Sequence, residues 1–141
     1  MLEEERFLEQ DTFIVVTDRT KPAMKLTVDE LKKRGKTVYV ADVSKNPEST
    51  EITRIADIPE GIENAIIGLK ETDPGYIIEP LEKKGVKKIW IHWRTDTDKA
   101  KEMCRTSDVE CIIGKCPMMY LGKSFSIHGV HRSIAKLLGK Y

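Results

Sequence analysis

Five short apolar runs alternate with segments that are long enough to cross back over a sheet. The runs are rich in β-branched and aromatic residues and span 13–17, 37–42, 65–69, 88–92 and 109–114. Strands this far apart in sequence pair in parallel, since an antiparallel pair needs only a short turn. The alternation predicts an α/β protein with a single doubly wound, Rossmann-like, parallel five-stranded sheet, for which we expect the strand order 3-2-1-4-5.

Helical periodicity fills the intervals between the strands. Met24 and Leu31 fall on one face of the helix predicted after the first strand. Pro80 interrupts the helical pattern after the third strand, so we expect that helix to begin late, close to Ile77. The stretch 43–64 is rich in loop-forming residues and is expected to wrap over one edge of the sheet.

Length and charge narrow the class of protein. A chain of 141 residues is most simply a single domain over 1–141, in which we expect 118–141 to form a C-terminal helical extension. Lysine and arginine number 24 against 23 acidic residues, so the overall charge attracts neither nucleic acid nor an anionic membrane. Any cationic binding site must therefore be local.

Targeting and redox features indicate a cytoplasmic protein. No apolar run approaches the roughly 20 residues that span a bilayer, and the acidic start MLEEER is unlike a signal peptide. The three cysteines are an odd number, which fits a reducing compartment better than a disulfide framework. We therefore expect a cytoplasmic location and no contact with a membrane.

The carboxyl ends of the strands are the expected ligand site, because doubly wound sheets bind ligands where the winding reverses. The turn 17–21 carries two cations just before a helix, whose free amides and dipole also favour an anion. We predict a phosphate site at this turn. The predicted cofactor-binding residues are Thr17, Asp18, Arg19, Thr20, Lys21, Asp42, Lys45, Lys70, His92 and Trp93.

Four segments resemble, in order and spacing, the small Rossmann-like CoA-binding proteins. They are GKTVYV at 35–40, IADIP at 55–59, GVKKIW at 85–90 and CIIGKCP at 111–117. This family is similar to the CoA-binding domain of the succinyl-CoA synthetase alpha subunit, and the resemblance covers about residues 3–120. It implies that coenzyme A binds with its pyrophosphate at the first helix and its adenosine toward the loop after the second strand. It implies no reaction.

The chain departs from the family where the ligand would bind. Family members usually carry a glycine at the end of the first strand and an Asn-Pro pair after the second, where this chain has Thr17 and Asp42. Without that glycine, the backbone cannot approach a pyrophosphate as closely. Arg19 and Lys21 would then provide much of the grip.

Two alternatives to CoA binding stay open. Asp42 stands where NAD-binding domains hold the ribose hydroxyls, so NAD or NADP is the rival cofactor. The G-x-G-x-x-G fingerprint is absent, however, and Lys45 suits the 3′-phosphate of CoA. The other alternative is an interaction protein with a vestigial nucleotide site, which would bind a protein partner or form a homodimer.

The cysteines and histidines also allow a zinc site. Cys104, Cys111 and Cys116, with His128 and His131, supply ligand types that zinc prefers. Cys104 falls on the apolar face of a helix and Cys111 falls inside a strand, which are ordinary positions for a buried small side chain. We therefore predict no metal.

Cys116 is a possible thiol site. It follows the fifth strand beside Lys115, which would lower the pKa of the thiol, and it could form a mixed disulfide with bound CoA. Packing beneath Met118 and Met119 is the interpretation that we favour. His92 could act as an acid or base, but the spacing reveals no catalytic partner. We therefore predict a binding protein without catalytic residues.

Overall fold

The computed structural model of the protein describes residues 2–45 and 52–121. These residues form one five-stranded sheet with helices between the strands. In chain order the elements are α1 (Glu3–Leu8), β1 (Thr12–Thr17), α2 (Pro22–Lys33), β2 (Thr37–Asp42), β3 (Asn64–Gly68), α3 (Gly75–Lys83), β4 (Lys88–His92), α4 (Asp98–Thr106), β5 (Glu110–Lys115) and α5 (Met118–Leu121). Of the expected extension at 118–141, all but α5 lies outside the described residues.

All five strands are parallel, in the order β2-β1-β3-β4-β5. The α/β, Rossmann-like, parallel sheet is confirmed, but the predicted order 3-2-1-4-5 is wrong because β3 pairs with β1. After β2 the chain returns along the outer edge of that strand, where Ile52 bridges Ala41 and accepts the Asp42 amide at 2.7 Å. With this edge covered, β3 takes the other side of β1.

The strands are buried on both faces. Ile14 and Val16 of β1 pack with α3 and α4 on one face, whereas Phe13 and Val15 pack with α2 and α5 on the other. Side chains alternate between the faces of a strand, so a continuous apolar run requires a helical layer on each side. The winding reverses between β1 and β3, and because the strands are parallel their carboxyl ends lie along one side of the sheet.

The start of α3 differs from the prediction. The helix begins at Gly75 and contains Pro80, instead of beginning near Ile77. The Asp73 side chain accepts the Gly75 amide at 2.8 Å, which satisfies a free donor at the first turn and fixes the earlier start. Within the described residues, no helix is both long and apolar enough to span a membrane.

Candidate functional site

A cleft opens at the carboxyl ends of β1 and β2, alongside α2. Its volume is about 350 Å³, at the lower end of the range of roughly 300–1,000 Å³ that is usual for ligand sites. Four cationic side chains and two carboxylates line it together with apolar groups, so the cleft suits an anionic ligand that also has an apolar part. The lining residues are Thr17, Arg19, Lys21, Pro22, Met24, Lys25, Val28, Asp29, Lys32, Val40 and Asp42.

The turn between β1 and α2 places Arg19 at one end of this cleft. The Arg19 amide donates to the Thr17 hydroxyl at 3.0 Å. The Arg19 backbone has a φ of 66°, a left-handed conformation that costs free energy for a residue with a side chain. The guanidinium Nε lies 3.9 Å from the Asp42 carboxylate. A strained backbone thus holds a cation beside the carboxyl end of β2.

The buried Asp18 carboxylate ties together the loops that follow β1 and β3. It is only 2% exposed and accepts the amides of Lys70 and Glu71 at 2.8 and 2.7 Å. Burial by itself raises the pKa of Asp18, but hydrogen bonds from Thr20, Glu71 and Lys70 outweigh it and hold that pKa below its ordinary value. A protein anion therefore occupies these two amides, which are not available to an external anion.

Cationic side chains from three loops lie at the carboxyl end of the sheet. We call the group formed by Arg19, Lys21, Lys70 and Arg94 the cationic edge. Burial, with repulsion from Lys70 and Arg94, lowers the pKa of Lys21. Like charges held together destabilise a fold unless an anion neutralises them. Such a cluster at the ligand-binding edge of a doubly wound sheet is therefore typical of an anion site.

Arg94 extends the cationic edge to the loop after β4. Its backbone is also left-handed, with a φ of 66°, and its guanidinium lies 4.5 Å from the centre of the Trp93 ring. Lys70 and Arg94 line a second groove of about 290 Å³ between the loops that follow β3 and β4. The edge thus carries cations from the loops that follow β1, β3 and β4.

His92 and Cys116 form a buried pair at the carboxyl ends of β4 and β5. His92 is 1% exposed, Cys116 is 5% exposed, and Nε2 lies 3.3 Å from Sγ. His92 Nδ1 lies 3.0 Å from the Trp93 carbonyl oxygen. A carbonyl only accepts hydrogen bonds, so Nδ1 carries the hydrogen and the neutral ring presents the Nε2 lone pair to the thiol. The thiol proton therefore faces a base that the backbone orients.

A bulge at Gly114 brings this pair together. Ile91 pairs with Ile113, whereas His92 pairs with Lys115, which leaves Gly114 without a partner in the ladder. Gly114 has a φ of 83°, which glycine adopts readily. An extra residue bends a strand and redirects the side chains after it. The glycine inside a predicted strand was the available sequence signal for this rearrangement.

The ten predicted cofactor residues occupy several places at this edge. Those that line the cleft are Thr17, Arg19, Lys21 and Asp42. The other predicted residues lie outside the cleft. Asp18 and Thr20 lie within the turn, and Lys70 lines the second groove. His92 contacts Cys116, Trp93 packs against Arg94, and Lys45 is exposed and lines neither the cleft nor the second groove.

Sequence reasoning did not single out Lys25, Lys32 or Arg94. Lys25 and Lys32 are seven residues apart, which places them on one face of α2, and this spacing was the available signal. Arg94 follows a strand at the expected ligand edge but carries no motif. The additional cations make the cleft and its surroundings more positive than the turn 17–21 alone indicated.

The predicted effect of Lys115 on Cys116 is wrong. The Lys115 ammonium pairs with the buried Glu4 of α1. Burial raises the pKa of the Cys116 thiol, although the amides of Met118 and Met119 and the Lys21 ammonium act in the opposite direction. The resting side chain is therefore a neutral thiol, with its proton toward His92.

The other two cysteines are joined to each other. Cys104 of α4 and Cys111 of β5 form a disulfide with a Cα–Cα distance of 6.0 Å. The expectation of reduced cysteines is thus wrong for this pair, which cannot supply thiolates to zinc. Residues 2–45 and 52–121 contain no cluster of three metal-ligating side chains, and His128 and His131 lie outside the described residues.

Comparison with solved structures shows what fold the chain has. It resembles a conserved hypothetical protein from Pyrococcus furiosus, with 16% identity over 77% of this chain and 97% of that chain and a TM-score of 0.63. A structure from Thermus thermophilus matches with 14% identity over 88% and 100% of the two chains and a TM-score of 0.62.

A hypothetical protein from Pyrococcus horikoshii OT3 matches with 19% identity over 87% of this chain and 92% of its own, at a TM-score of 0.59. No protein-family model matches the chain, and no curated protein is significantly similar to it. At these low identities the likeness concerns architecture alone. The chain thus shares its Rossmann-like α/β fold with a group of uncharacterised proteins.

Proposed function

We propose that the cleft and the cationic edge bind the phosphorylated adenosine end of coenzyme A or an acyl-CoA. The observation that carries this proposal is that four cationic side chains, Arg19, Lys21, Lys25 and Lys32, line one cleft at the carboxyl ends of β1 and β2. An anion bound among these groups would relieve their mutual repulsion. A diphosphate offers enough acceptor oxygens for several cations at once.

The shape of the cleft supports an adenine nucleotide. Val28 and Val40 contribute apolar surface, while Lys25 and Lys32 lie along one side of the cleft. An adenine ring would contact the apolar surface, and a 3′-phosphate would meet these two lysines. The remainder of coenzyme A would leave the cleft and cross the carboxyl ends of the strands toward β4.

The state of Asp42 favours CoA over NAD. In NAD-binding domains an acidic residue at this place accepts the ribose hydroxyls. Here the Asp42 carboxylate already accepts the Ser44 amide at 3.0 Å and lies 3.9 Å from the Arg19 guanidinium. The 3′-phosphate of CoA would interact with the surrounding cations more strongly than a ribose hydroxyl of NAD would interact with a carboxylate that already has partners.

A thermal-shift titration with CoA, acetyl-CoA, dephospho-CoA, NAD and NADP tests the proposal. A ligand that binds only the folded state raises the melting temperature. We expect CoA and acetyl-CoA to give the largest rise and dephospho-CoA a smaller one, because it lacks the 3′-phosphate. A larger rise with NAD or NADP would identify the rival cofactor. No rise with any ligand would indicate a vestigial site.

The Lys21→Gln variant is expected to weaken CoA binding by about 10- to 100-fold. The change removes one charge-assisted interaction worth roughly 1.5–3 kcal/mol. Isothermal titration calorimetry at two salt concentrations measures the affinity, and the salt dependence of binding should also become weaker.

Lys87→Gln is the matched control, since Lys87 lies just before β4 at the amino end of the strands and its ion pair with Glu63 is exposed. Equal affinities of the two variants would contradict the site.

The Arg19→Gly variant should separate stability from binding. Glycine relieves a left-handed conformation that costs about 1–2 kcal/mol but loses roughly 0.5–1 kcal/mol of conformational entropy. We therefore expect the free energy of unfolding to stay within about 1 kcal/mol of wild type while CoA affinity falls. Arg19→Ala should lose affinity and remain strained. An Arg19→Gly variant with wild-type affinity would remove Arg19 from the site. Urea unfolding and calorimetry measure the two quantities.

A further inference from the structure

We propose that Cys116 and His92 form a nucleophilic thiol site that accepts the acyl group of a thioester, and that the acyl-CoA bound at the cationic edge is its donor. The inference rests on the proposed CoA binding for the identity of the donor. It adds a covalent group-transfer step to a site for which we otherwise infer binding alone. Its basis is the geometry of the buried pair.

The pair contains the three parts that an activated thiol needs. Cys116 Sγ is the nucleophile, and His92 Nε2 lies 3.3 Å away as the base. The Trp93 carbonyl at 3.0 Å from Nδ1 fixes both the tautomer and the orientation of the ring. A nucleophile, a base and a group that orients the base are the arrangement by which Cys-His pairs become reactive.

Groups around the sulfur would stabilise the thiolate when the proton leaves. The amides of Met118 and Met119 and the Lys21 ammonium all favour the charged form of Cys116 against the effect of burial. Burial and, to a smaller extent, the Lys21 ammonium also lower the pKa of His92. The imidazole is therefore neutral at rest with its Nε2 lone pair available, and the same lowering of its pKa makes it a weaker base than a free imidazole.

Lys21 connects the thiol site to the proposed cofactor site. The same ammonium that lines the cleft also acts electrostatically on Cys116 and His92. The pantetheine arm of a cofactor whose phosphates lie in the cleft would cross the carboxyl ends of the strands toward β4 and β5, which carry His92 and Cys116.

The step balances without any further reactant. The Cys116 proton passes to His92 Nε2, and Sγ attacks the carbonyl carbon of the thioester. A new bond forms between Sγ and that carbon, and the bond from the carbon to the CoA sulfur breaks. The departing CoA thiolate takes the proton from His92. The products are S-acyl-Cys116 and free CoA, and nothing is oxidised or reduced.

Mass spectrometry of the full chain after incubation with acetyl-CoA tests the proposal. Without reductant, Cys116 is the one free thiol, because Cys104 and Cys111 are joined in the disulfide. We expect one acetyl group per chain, on the peptide that contains Cys116, with release by hydroxylamine as for any thioester. An unmodified chain, or acetylation of lysines alone, would overturn the proposal.

Two variants distinguish chemistry from packing. Cys116→Ser should abolish the labile acetylation. His92→Phe keeps a ring in the core but removes the base, and should slow acetylation by at least about 100-fold. If acetylation of His92→Phe proceeds at the wild-type rate, the contact between Cys116 and His92 is structural only. Circular dichroism and thermal melting establish that each variant is folded.

A short thioester that lacks the nucleotide separates this proposal from CoA binding. The acetyl thioester of N-acetylcysteamine should acetylate Cys116 slowly, and His92→Phe should reduce that rate as well. In Lys21→Gln, acetylation by acetyl-CoA should fall more than acetylation by the short thioester. Reaction with the short thioester alone would retain the thiol site and reject CoA as its donor. CoA binding without acetylation by either thioester would reject the thiol site and retain the proposed function.

Discussion

The Trp90→Ala variant is expected to lose about 3–5 kcal/mol of its free energy of unfolding. Trp90 is fully buried in the middle of β4, and its ring lies 5.5 Å from the rings of both Phe7 and Tyr120. Its indole N–H donates to the Lys115 carbonyl at 3.0 Å. Truncation would leave a cavity among three elements and remove a buried hydrogen bond. Urea unfolding followed by circular dichroism measures the loss.

This variant should also disturb the thiol site. The Lys115 carbonyl that accepts the Trp90 indole also accepts the Trp93 amide, and Cys116 follows directly. Loss of the indole would therefore loosen the end of β5 and lengthen the Cys116–His92 contact. Trp93→Ala is the matched control, because Trp93 is only half-buried and its truncation should cost much less stability than that of Trp90. Similar losses for both variants would contradict the central role of Trp90 in the core.

The Asp18→Ala variant is expected to lose about 3 kcal/mol of stability, since a buried amide without an acceptor costs roughly 1–3 kcal/mol. The Lys70 and Glu71 amides would both lose their acceptor. The loop after β3 would no longer be tied to the turn after β1, so Lys70 would leave its position beside Lys21. We therefore expect CoA affinity to fall together with stability. Urea unfolding and calorimetry measure the two effects.

The stabilising effect of Asp18 should depend on pH. The hydrogen bonds to its carboxylate hold the pKa in the folded state below the ordinary value of about 3.9. The contribution is fully present above that ordinary pKa and disappears as the pH falls through the lower pKa of the folded state. The difference in stability between wild type and Asp18→Ala should thus be constant from pH 7 to about pH 5 and shrink below about pH 4. A constant difference at every pH would show that the charge of Asp18 is unimportant.

The sequence predicted the layers of the fold but not the order of the strands. Alternating apolar runs and crossover segments determine a parallel sheet with helices on both faces, whichever neighbour each strand takes. In the structure β3 pairs with β1, and Ile52 bridges the outer edge of β2. A single bridge in a loop-rich stretch leaves no periodic signal. The order therefore could not be read from hydrophobic pattern alone.

The candidate site was partly predictable. Thr17, Arg19, Lys21 and Asp42 follow strands whose carboxyl ends share one edge, and the structure places all four around one cleft. Asp18 was grouped with the cofactor residues, whereas its carboxylate accepts amides from two loops. The ends of the strands can be predicted from the hydrophobic pattern. The direction of a side chain within a turn depends on the backbone dihedral angles of that turn, which the hydrophobic pattern does not reveal.

The Cys116–His92 pair could not be found from spacing. The two residues are 24 positions apart, and their contact depends on the register shift at Gly114. A regular strand would have placed the side chains after Gly114 on the opposite faces of the sheet. Sequence reasoning therefore identified each residue as a possible functional group but could not pair them.

Amide chemical-shift mapping during a CoA titration is the most direct measurement of whether the cationic edge binds this cofactor. We expect saturable shifts for the turn 17–21, for the cleft-facing side of α2 and for Lys70 and Arg94. We expect none for the opposite end of the strands around Glu63 and Lys87. Shifts confined to that opposite end, or none at millimolar CoA, would contradict binding at the cationic edge.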